Sequence, residues 1–133
     1  MGAVRDRHAM IAGMSPKLDR QVWHFCTTQD PAASTAAALA RFEEEEGTTL
    51  ILSQADAEIH GFDTGLPMAR ITLQVHSALD GVGLTAAVAG RLAEAGIACN
   101  MVAAFHHDHA FVPYAQREEA LRLLQDLASR GPS

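Results

Sequence analysis

Histidine and aspartate side chains cluster in residues 106–109 (HHDH), in the last quarter of the chain. Imidazole and carboxylate groups are ligands of zinc and of other transition metals. In an extended segment His107 and His109 would project to one side and Asp108 to the other, so further ligands would have to come from elsewhere. No spaced Cys/His motif supplies them. His107, Asp108 and His109 are therefore weak metal candidates, and the alternative is a polar turn with solvated imidazoles.

A second candidate site lies in residues 79–83 (LDGVG), directly before a helical pattern. Free N–H groups and the positive end of the helix dipole make a helix N-terminus a binding site for anions. Gly81 and Gly83 would let a ligand carboxylate approach the backbone, although turn geometry alone also favours glycine. Asp80 could pair with a ligand ammonium group or cap the helix. Asn100 interrupts an apolar strand, where a buried amide needs a ligand or a neighbouring loop as its hydrogen-bond partner.

The residues that would carry catalysis are not grouped in the sequence. His76 and Ser77 are neighbours, so on a strand they point to opposite faces and cannot form a dyad. We find no Gly-x-Ser-x-Gly, no phosphate-binding glycine loop with lysine and no metal-hydrolase helix motif, and Lys17 is the only lysine. The sequence predicts that the protein is not an enzyme and needs no cofactor.

Composition and charge limit the possible partners. The 133 residues are 48% hydrophobic and 20% charged, with 10 basic and 16 acidic residues, which is typical of one small soluble domain or two units sharing a core. The net charge of -6 argues against a nucleic-acid surface. The N-terminal residues show no apolar run long enough for a signal peptide or a membrane span. Residues 1–9 are predicted to be a loose tail. Cys26 and Cys99 lie in apolar segments, which indicates buried thiols in a reducing cytoplasm.

The second half of the chain predicts the element order β-α-β-β-α. Residues 70–76 alternate, with Ile71, Leu73 and Val75 on one face. Two helical stripes recur at a period near 3.6: Leu84, Val88, Leu92 and Ala95, and then Ala120, Leu123, Leu124 and Leu127. The predicted strands are 70–76, 97–105 and 110–113, the last with Pro113 at a strand end or edge, and a helix over 116–128 closes the chain.

The first half looks like a weaker copy of the same plan. We predict strands at residues 21–28 and 48–53, an Ala-rich helix over 31–46 and a helical turn over 55–60. Residues 43–46 (EEEE) would be the solvated end of that helix, or alternatively a site for a cation or a partner. A β-α-β-β-α unit is one strand short of a ferredoxin-like sheet, and a strand from the first half could supply the missing pairing. The predicted units are residues 10–67 and 68–130.

Residues 68–113 resemble the ACT family. The resemblance rests on the strand 71–76, the step 79–84 (LDGVGL), the helix end 92–97 (LAEAGI) and the strand 98–102 (ACNMV). The motifs 44–52 (EEEGTTLIL), 70–73 (RITL), 82–88 (VGLTAAV) and 107–109 (HDH) resemble, more narrowly, small stand-alone bacterial ACT proteins. Together the similarity covers residues 14–128.

The resemblance implies both a fold and a function. The fold is α+β, a ferredoxin-like antiparallel sheet with helices on one face, here as a tandem of two ACT-like units. ACT domains are regulatory modules that bind an amino acid or other small ligand between paired domains, at the loop after the first strand and at the facing second strand. The matching positions are Leu79, Asp80, Gly81, Val82, Gly83, Asn100, Met101 and Val102. We therefore expect an amino-acid sensor that forms a homodimer, because bare sheet edges in so small a unit need cover; the alternatives are a ligand-free interaction module and a His-rich metal-binding protein.

Overall fold

A computed structural model describes residues 6–30, 32–33, 37–75 and 82–130, which form seven strands and four helices. In chain order these are α1 (Arg7–Ala12), β1 (Pro16–Leu18), β2 (Trp23–Thr28), β3 (Ala40–Glu44), β4 (Gly47–Ser53), α2 (Gln54–Ile59), β5 (Met68–Leu73), α3 (Leu84–Glu94), β6 (Asn100–Ala103), β7 (Asp108–Pro113) and α4 (Arg117–Arg130), with a 3-10 turn at Tyr114–Gln116 before α4.

The chain forms two compact units. We call Met1–Asp19 together with Ala69–Ser133 the terminal unit, and Arg20–Met68 the internal unit. Residues 6–19 therefore contact the second half of the chain. The predicted units, residues 10–67 and 68–130, did not anticipate this placement. Their boundaries stay a prediction.

The strand β5 lies inside the sheet of the terminal unit, with strand neighbours on both sides. Ile71 and Leu73 are buried while Arg70 and Thr72 are half-exposed, which is the alternation expected of a strand with one apolar face. Val75, just beyond the strand, is also buried. The predicted apolar face of Ile71, Leu73 and Val75 is therefore confirmed, although the strand itself is shorter than predicted.

The strand β1 supplies the pairing that the second half of the chain lacks. It runs antiparallel to β5, with Pro16 opposite Leu73 and Leu18 opposite Ile71. The backbone N–H of Asp19 extends the ladder by donating to the carbonyl of Arg70 at 2.9 Å. β7 lies on the other side of β5, followed by β6 at the edge. The expectation that a strand from the first half completes this sheet is confirmed.

The helices of the terminal unit share one aliphatic core with its sheet. Both predicted helices are present, and their apolar stripes face this core. The buried members from the helices are Met10 and Ile11 of α1, Leu84, Val88 and Leu92 of α3, and Ala120, Leu123 and Leu124 of α4.

The helix α1 corrects the prediction that residues 1–9 form a loose tail, since it begins at Arg7. Asp6 is its N-cap, and the carboxylate accepts a hydrogen bond from the N–H of Ala9 at 2.9 Å. Full burial of Met10 and Ile11 then holds the helix in the core. The cap and the two buried side chains explain why this short segment forms a helix. Residues 1–5 lie outside the described residues.

In the internal unit, β4 lies between β2 and β3, with both pairings antiparallel. His24 and Cys26 of β2 stand opposite Leu52 and Leu50 of β4. A small core forms on this face beneath α2, from Cys26, Leu50, Leu52 and Ala57 with Ala38 and Phe62 packed against it. The predicted helical turn over 55–60 is confirmed as α2, which Ser53 caps.

The predicted helix over residues 31–46 is wrong. Residues 40–44 form the strand β3, which pairs with β4 from Ala40 opposite Ile51 to Glu44 opposite Gly47. Residues 31 and 34–36 lie outside the described residues, and Ala32 and Ala33 form a turn. Helix propensity is a weak preference that a ladder with a neighbouring strand readily overrides. The glutamates of residues 43–46 therefore occupy a hairpin end instead of a helix end.

Gly47 is the first residue of β4. Its φ is 150°, and an added Cβ would lie 2.8 Å from the carbonyl oxygen of Thr28. A side chain here would collide with the neighbouring strand β2, so glycine permits the close approach of the two strands.

We expect Ile11→Ala to lower the free energy of unfolding by about 2–5 kcal/mol, because it opens a cavity in the core that α1 shares with the other helices. Urea denaturation followed by circular dichroism measures the change. Gln125→Ala is the control, since Gln125 is exposed on α4 and its loss should change stability by less than about 0.5 kcal/mol. Equal stabilities of the two variants would contradict the packing of α1.

Candidate functional site

The candidate ligand loop is only partly described. Leu79, Asp80 and Gly81 lie outside the described residues, whereas Val82 and Gly83 lie within them. Val82 is 77% exposed. The loop therefore presents an apolar side chain to solvent immediately before α3.

Gly83 is the N-cap of α3. Its φ of 106° lies in the left-handed region, which only glycine enters at little cost. The carbonyl of Gly83 accepts from the N–H of Ala87 at 3.0 Å, so the helix starts here. Glycine has no side chain with which to cap the first turn, and the N-cap is not Asp80, which was one predicted role for that residue. The backbone N–H groups of this first turn are those at which the sequence predicted an anion site, and that site stays a prediction.

The three predicted strand residues lie on β6, but they do not share a face. Asn100 is opposite Phe111 and Val102 is opposite His109, so both lie on the face of the sheet that carries His109. Met101 is opposite Ala110 and packs against the aliphatic core. A ligand on one face of β6 would therefore contact Asn100 and Val102 and not the side chain of Met101.

The expected burial of Asn100 is wrong, because its side chain is exposed. The physical reason is the position of β6 at the end of the sheet, where a strand has a neighbour on one side only. Its amide needs no partner inside the fold. Asn100 is thus a polar group presented to solvent at the strand edge.

A polar cluster lies on the same face, on β5 and its neighbours. Asp19 Oδ2 accepts hydrogen bonds from Arg70 Nη2 at 2.8 Å and from Arg70 Nε at 3.1 Å. Thr72 Oγ1 lies 2.9 Å from His109 Nδ1, in hydrogen-bond contact across β5 and β7. Sequence analysis missed this cluster, although its signal was present: Arg70 and Thr72 alternate with Ile71 and Leu73, so their side chains had to share the opposite face.

The histidine cluster is divided between a turn and a strand. The N–H of Ala104 donates to the carbonyl of His107 at 3.1 Å, which closes the turn between β6 and β7. His107 Nδ1 lies 3.4 Å from the carbonyl oxygen of Val75, while Asp108 and His109 begin β7. The predicted turn is present, but two of its imidazoles are anchored to the β5 segment instead of being freely solvated.

The described residues do not favour the metal alternative. Within residues 6–30, 32–33, 37–75 and 82–130, no group of three or more His, Cys, Asp or Glu side chains is placed to hold a metal ion. His109 Nδ1 is already engaged with Thr72, and His107 Nδ1 with a backbone carbonyl. These contacts give His107 and His109 a structural use that does not require a metal.

Neither cysteine has the environment of a nucleophile. Burial raises the pKa of the Cys99 thiol. Burial also raises the pKa of Cys26, and the negative charge of Asp63 adds to the effect. Because the thiolate is the reactive form, both side chains are held in their unreactive state near neutral pH. Both are free thiols in the structure.

A buried histidine in the internal unit was not predicted. His24 is almost fully buried on β2, and its Nε2 contacts Oε1 of Gln54, the first residue of α2. The backbone N–H of Gln54 donates to the carbonyl of Val22 at 2.9 Å. Gln54 thus joins α2 to His24 of β2 through its side chain and to the residue before β2 through its backbone, which gives His24 a structural role. No local pattern in the sequence predicts the contact between His24 and Gln54.

None of the helices in the described part of the chain is both long and apolar enough to cross a bilayer.

We expect acidification to destabilise the terminal unit through His109. Burial lowers the pKa of His109, the positive charges of Arg70 and His107 lower it further, and Asp108 partly offsets them. Since the folded state binds this proton less readily than the unfolded chain, the stability from His109 is present above about pH 6.5 and is lost as the pH falls from there through the folded pKa.

An NMR titration of the His109 ring should therefore give a pKa below about 6.5. His109→Gln should also flatten the fall in stability between about pH 7 and pH 5, measured by urea denaturation. His60→Gln, which removes an exposed imidazole, is the control and should leave this fall in place. A His109 pKa at or above the ordinary value would contradict the effect of burial.

Two ACT-domain family models match the chain, over residues 3–69 and over residues 69–126. A search of the curated proteins found no significant match. Among solved structures, the chain is similar to a protein of unknown function from Vibrio cholerae, described as a possible transport protein, with a TM-score of 0.81, 37% sequence identity, and coverage of 91% of this chain and 94% of that one.

Two more distant similarities concern the fold alone. A protein from Agrobacterium tumefaciens matches with a TM-score of 0.70 and 17% identity, covering 86% of this chain and 89% of that one. The regulatory subunit of aspartate kinase from Thermus flavus matches with a TM-score of 0.59 and 11% identity, covering 84% and 95%. The match of two family models in succession agrees with an α+β, ferredoxin-like fold formed twice along the sequence. The chain belongs to the ACT family and consists of two ACT domains in tandem.

Proposed function

We propose that the protein is a small regulatory protein that binds an amino acid and has no catalytic activity of its own. The observation that carries the proposal is the succession of two ACT domains over residues 3–126, since ACT domains are typically regulatory and ligand-binding. The similarity in fold to the regulatory subunits of aspartate kinase from two Thermus species supports it. The raised pKa values of both thiols fit a non-catalytic role.

The proposed ligand site comprises the loop residues Leu79, Asp80, Gly81, Val82 and Gly83 and the strand residues Asn100, Met101 and Val102. The left-handed N-cap at Gly83 supports it, because the N–H groups of the first turn of α3 meet no N-cap side chain and could bind a ligand carboxylate. The exposed amide of Asn100 adds a donor and an acceptor at the strand edge. Val82 offers apolar contact for a ligand side chain.

The proposed assembly is a homodimer in which the edge strand β6 meets its counterpart. Residues 97–105 (IACNMVAAF) contain no charged side chain. Natural proteins usually protect exposed sheet edges with charges or proline, so an uncharged edge favours pairing with another strand. An assembly through β6 also fits ligand binding between paired domains, because the proposed site includes residues of this strand.

The proposed location is the cytoplasm. Cys26 and Cys99 are both free thiols, which is the state that a reducing compartment maintains.

A thermal-shift panel of the common amino acids tests the ligand. A ligand present at about 100 times its dissociation constant should add about 2.7 kcal/mol of stability. Asn100→Ala should reduce that shift while costing little intrinsic stability, because the side chain is exposed. Gln125→Ala is the matched control and should respond as the unmodified protein does. A panel without any stabilising amino acid would overturn the proposal.

Light scattering tests the dimer. We expect a mass of about 28 kDa, twice the 14.2 kDa of one chain. Ala103→Lys adds a charge at an exposed position of β6 and should give the monomer. Phe42→Lys adds the same charge to the other edge strand, β3, and should leave the dimer intact. Loss of the dimer in the second variant alone would contradict pairing through β6.

A further inference from the structure

The strand β3 is the end strand of the internal unit. It pairs with β4 on one side, and no other strand of the described residues pairs with it. Four of its five residues, from Arg41 to Glu44, are exposed. A strand in this position presents a row of backbone N–H and C=O groups to which another chain can add.

Two phenylalanines are exposed on one face of this sheet. Phe42 is 70% exposed and Phe25 is 42% exposed. Phe25 lies opposite Ile51 of β4, while Phe42 lies opposite Thr49, so the two rings project from the same face in adjacent rows. The strand β4 separates Phe25 from the edge, so Phe42 is the ring that stands on the edge strand itself. An exposed aromatic side chain in that position is typical of surfaces that bind other proteins.

The end of the β3–β4 hairpin carries four glutamates and one arginine. Arg41 Nε donates to Glu43 Oε1 at 2.7 Å, and Thr48 Oγ1 donates to Glu43 Oε2 at 2.9 Å. These hydrogen bonds lower the pKa of Glu43, with the Arg41 bond as the larger cause, so this carboxylate stays ionised at neutral pH. The one cation of the hairpin is thus already paired.

The remaining three glutamates add negative charge beside the aromatic face. Glu44 accepts a hydrogen bond from Thr49 Oγ1 and lies on the same strand face as Phe42. Glu45 and Glu46 form the exposed turn, and neither makes an ion pair with a described residue. We call Phe42, Glu44, Glu45 and Glu46 the acidic–aromatic edge.

The charge and the shape of the acidic–aromatic edge indicate which kind of segment would bind there. A lysine or arginine side chain has an apolar stem that packs against an aromatic ring and a cationic end that pairs with a carboxylate. In an extended segment that adds to β3, alternate side chains would reach the face with Phe42 and Glu44. A second copy of this chain fits less well. Its β3–β4 hairpin would bring three further carboxylates that form no ion pair with a described residue, and its Arg41 is already paired with Glu43.

We propose that the acidic–aromatic edge binds an extended, lysine- or arginine-rich segment of another protein, which adds as a strand to β3. The segment's backbone bonds to β3, its cations pair with Glu44, Glu45 and Glu46, and its side-chain stems cover Phe42. This goes beyond the proposed ligand binding: it assigns the chemistry of the protein partner and places it on a different unit of the chain.

The test uses the full chain and a fluorescein-labelled peptide of alternating lysine and valine, with binding measured by fluorescence anisotropy at low ionic strength. Glu45→Gln/Glu46→Gln should weaken binding about fivefold, since two exposed ion pairs are lost. The matched control, Glu118→Gln/Glu119→Gln, removes two exposed carboxylates from α4 and should leave the affinity unchanged. Phe42→Thr should also weaken binding. All the changed side chains are exposed, and a thermal melt of each variant verifies folding.

Two further peptides separate strand addition from simple charge attraction. A peptide N-methylated on alternate residues keeps its charges but cannot form the ladder, so it should bind much more weakly. A peptide with glutamate in place of lysine should not bind. Equal affinity of the two double variants, or unchanged binding of the N-methylated peptide, would overturn the proposal. So would a dimer of the unmodified chain that Phe42→Lys dissociates, because a second copy would then be the occupant of this edge.

Discussion

The alternation of apolar and polar side chains along β5 is the constraint on which the terminal unit depends. Ile71 and Leu73 are fully buried in a core shared with α1, α3 and α4. A shift of one residue in the pairing with β1 would move Arg70 and Thr72 into that core and expose the two aliphatic side chains. The cost of burying a guanidinium group without its partner fixes the register.

The same alternation arranges the polar face. Because Arg70 and Thr72 must point away from the helices, Arg70 lies beside Asp19, which extends the β1 ladder, and Thr72 lies beside the half-buried His109 of β7. His109 is therefore partly desolvated and lies near a guanidinium group, and both conditions lower its pKa. The lowered pKa of His109 is thus a consequence of how the core of the terminal unit is packed.

The two edge strands differ in a way that matters for assembly. The segment around β6 is free of charge, while the β3–β4 hairpin carries Arg41 and four glutamates. An uncharged edge favours pairing with an identical strand, whereas an acidic edge repels its own copy and attracts basic chains. The proposed homodimer and the proposed basic partner can thus use different strands of the same chain without competing.

The elements with a local signal were predictable from the sequence alone. The period-2 alternation of β5 and the 3.6-residue stripes of α3 and α4 predicted these elements and their buried faces, since side-chain spacing alone decides which face is apolar. The family motifs then indicated the ferredoxin-like fold and the loop before α3. The need for one more strand followed from counting, because the second half of the chain lacked the final strand of its sheet.

Features that depend on residues far apart in the chain appear only in the folded protein. Residues 40–44 have no strong strand pattern and form β3 because β4 provides a ladder, which outweighs the helix propensity of the alanines before them. The strand that completes the sheet is β1, which is only three residues long. Nothing in its sequence indicates that it pairs with β5. Asn100 interrupts an apolar run, yet it is exposed because β6 lies at an edge. Strand neighbours are set by packing across the whole unit, and local spacing carries no information about them.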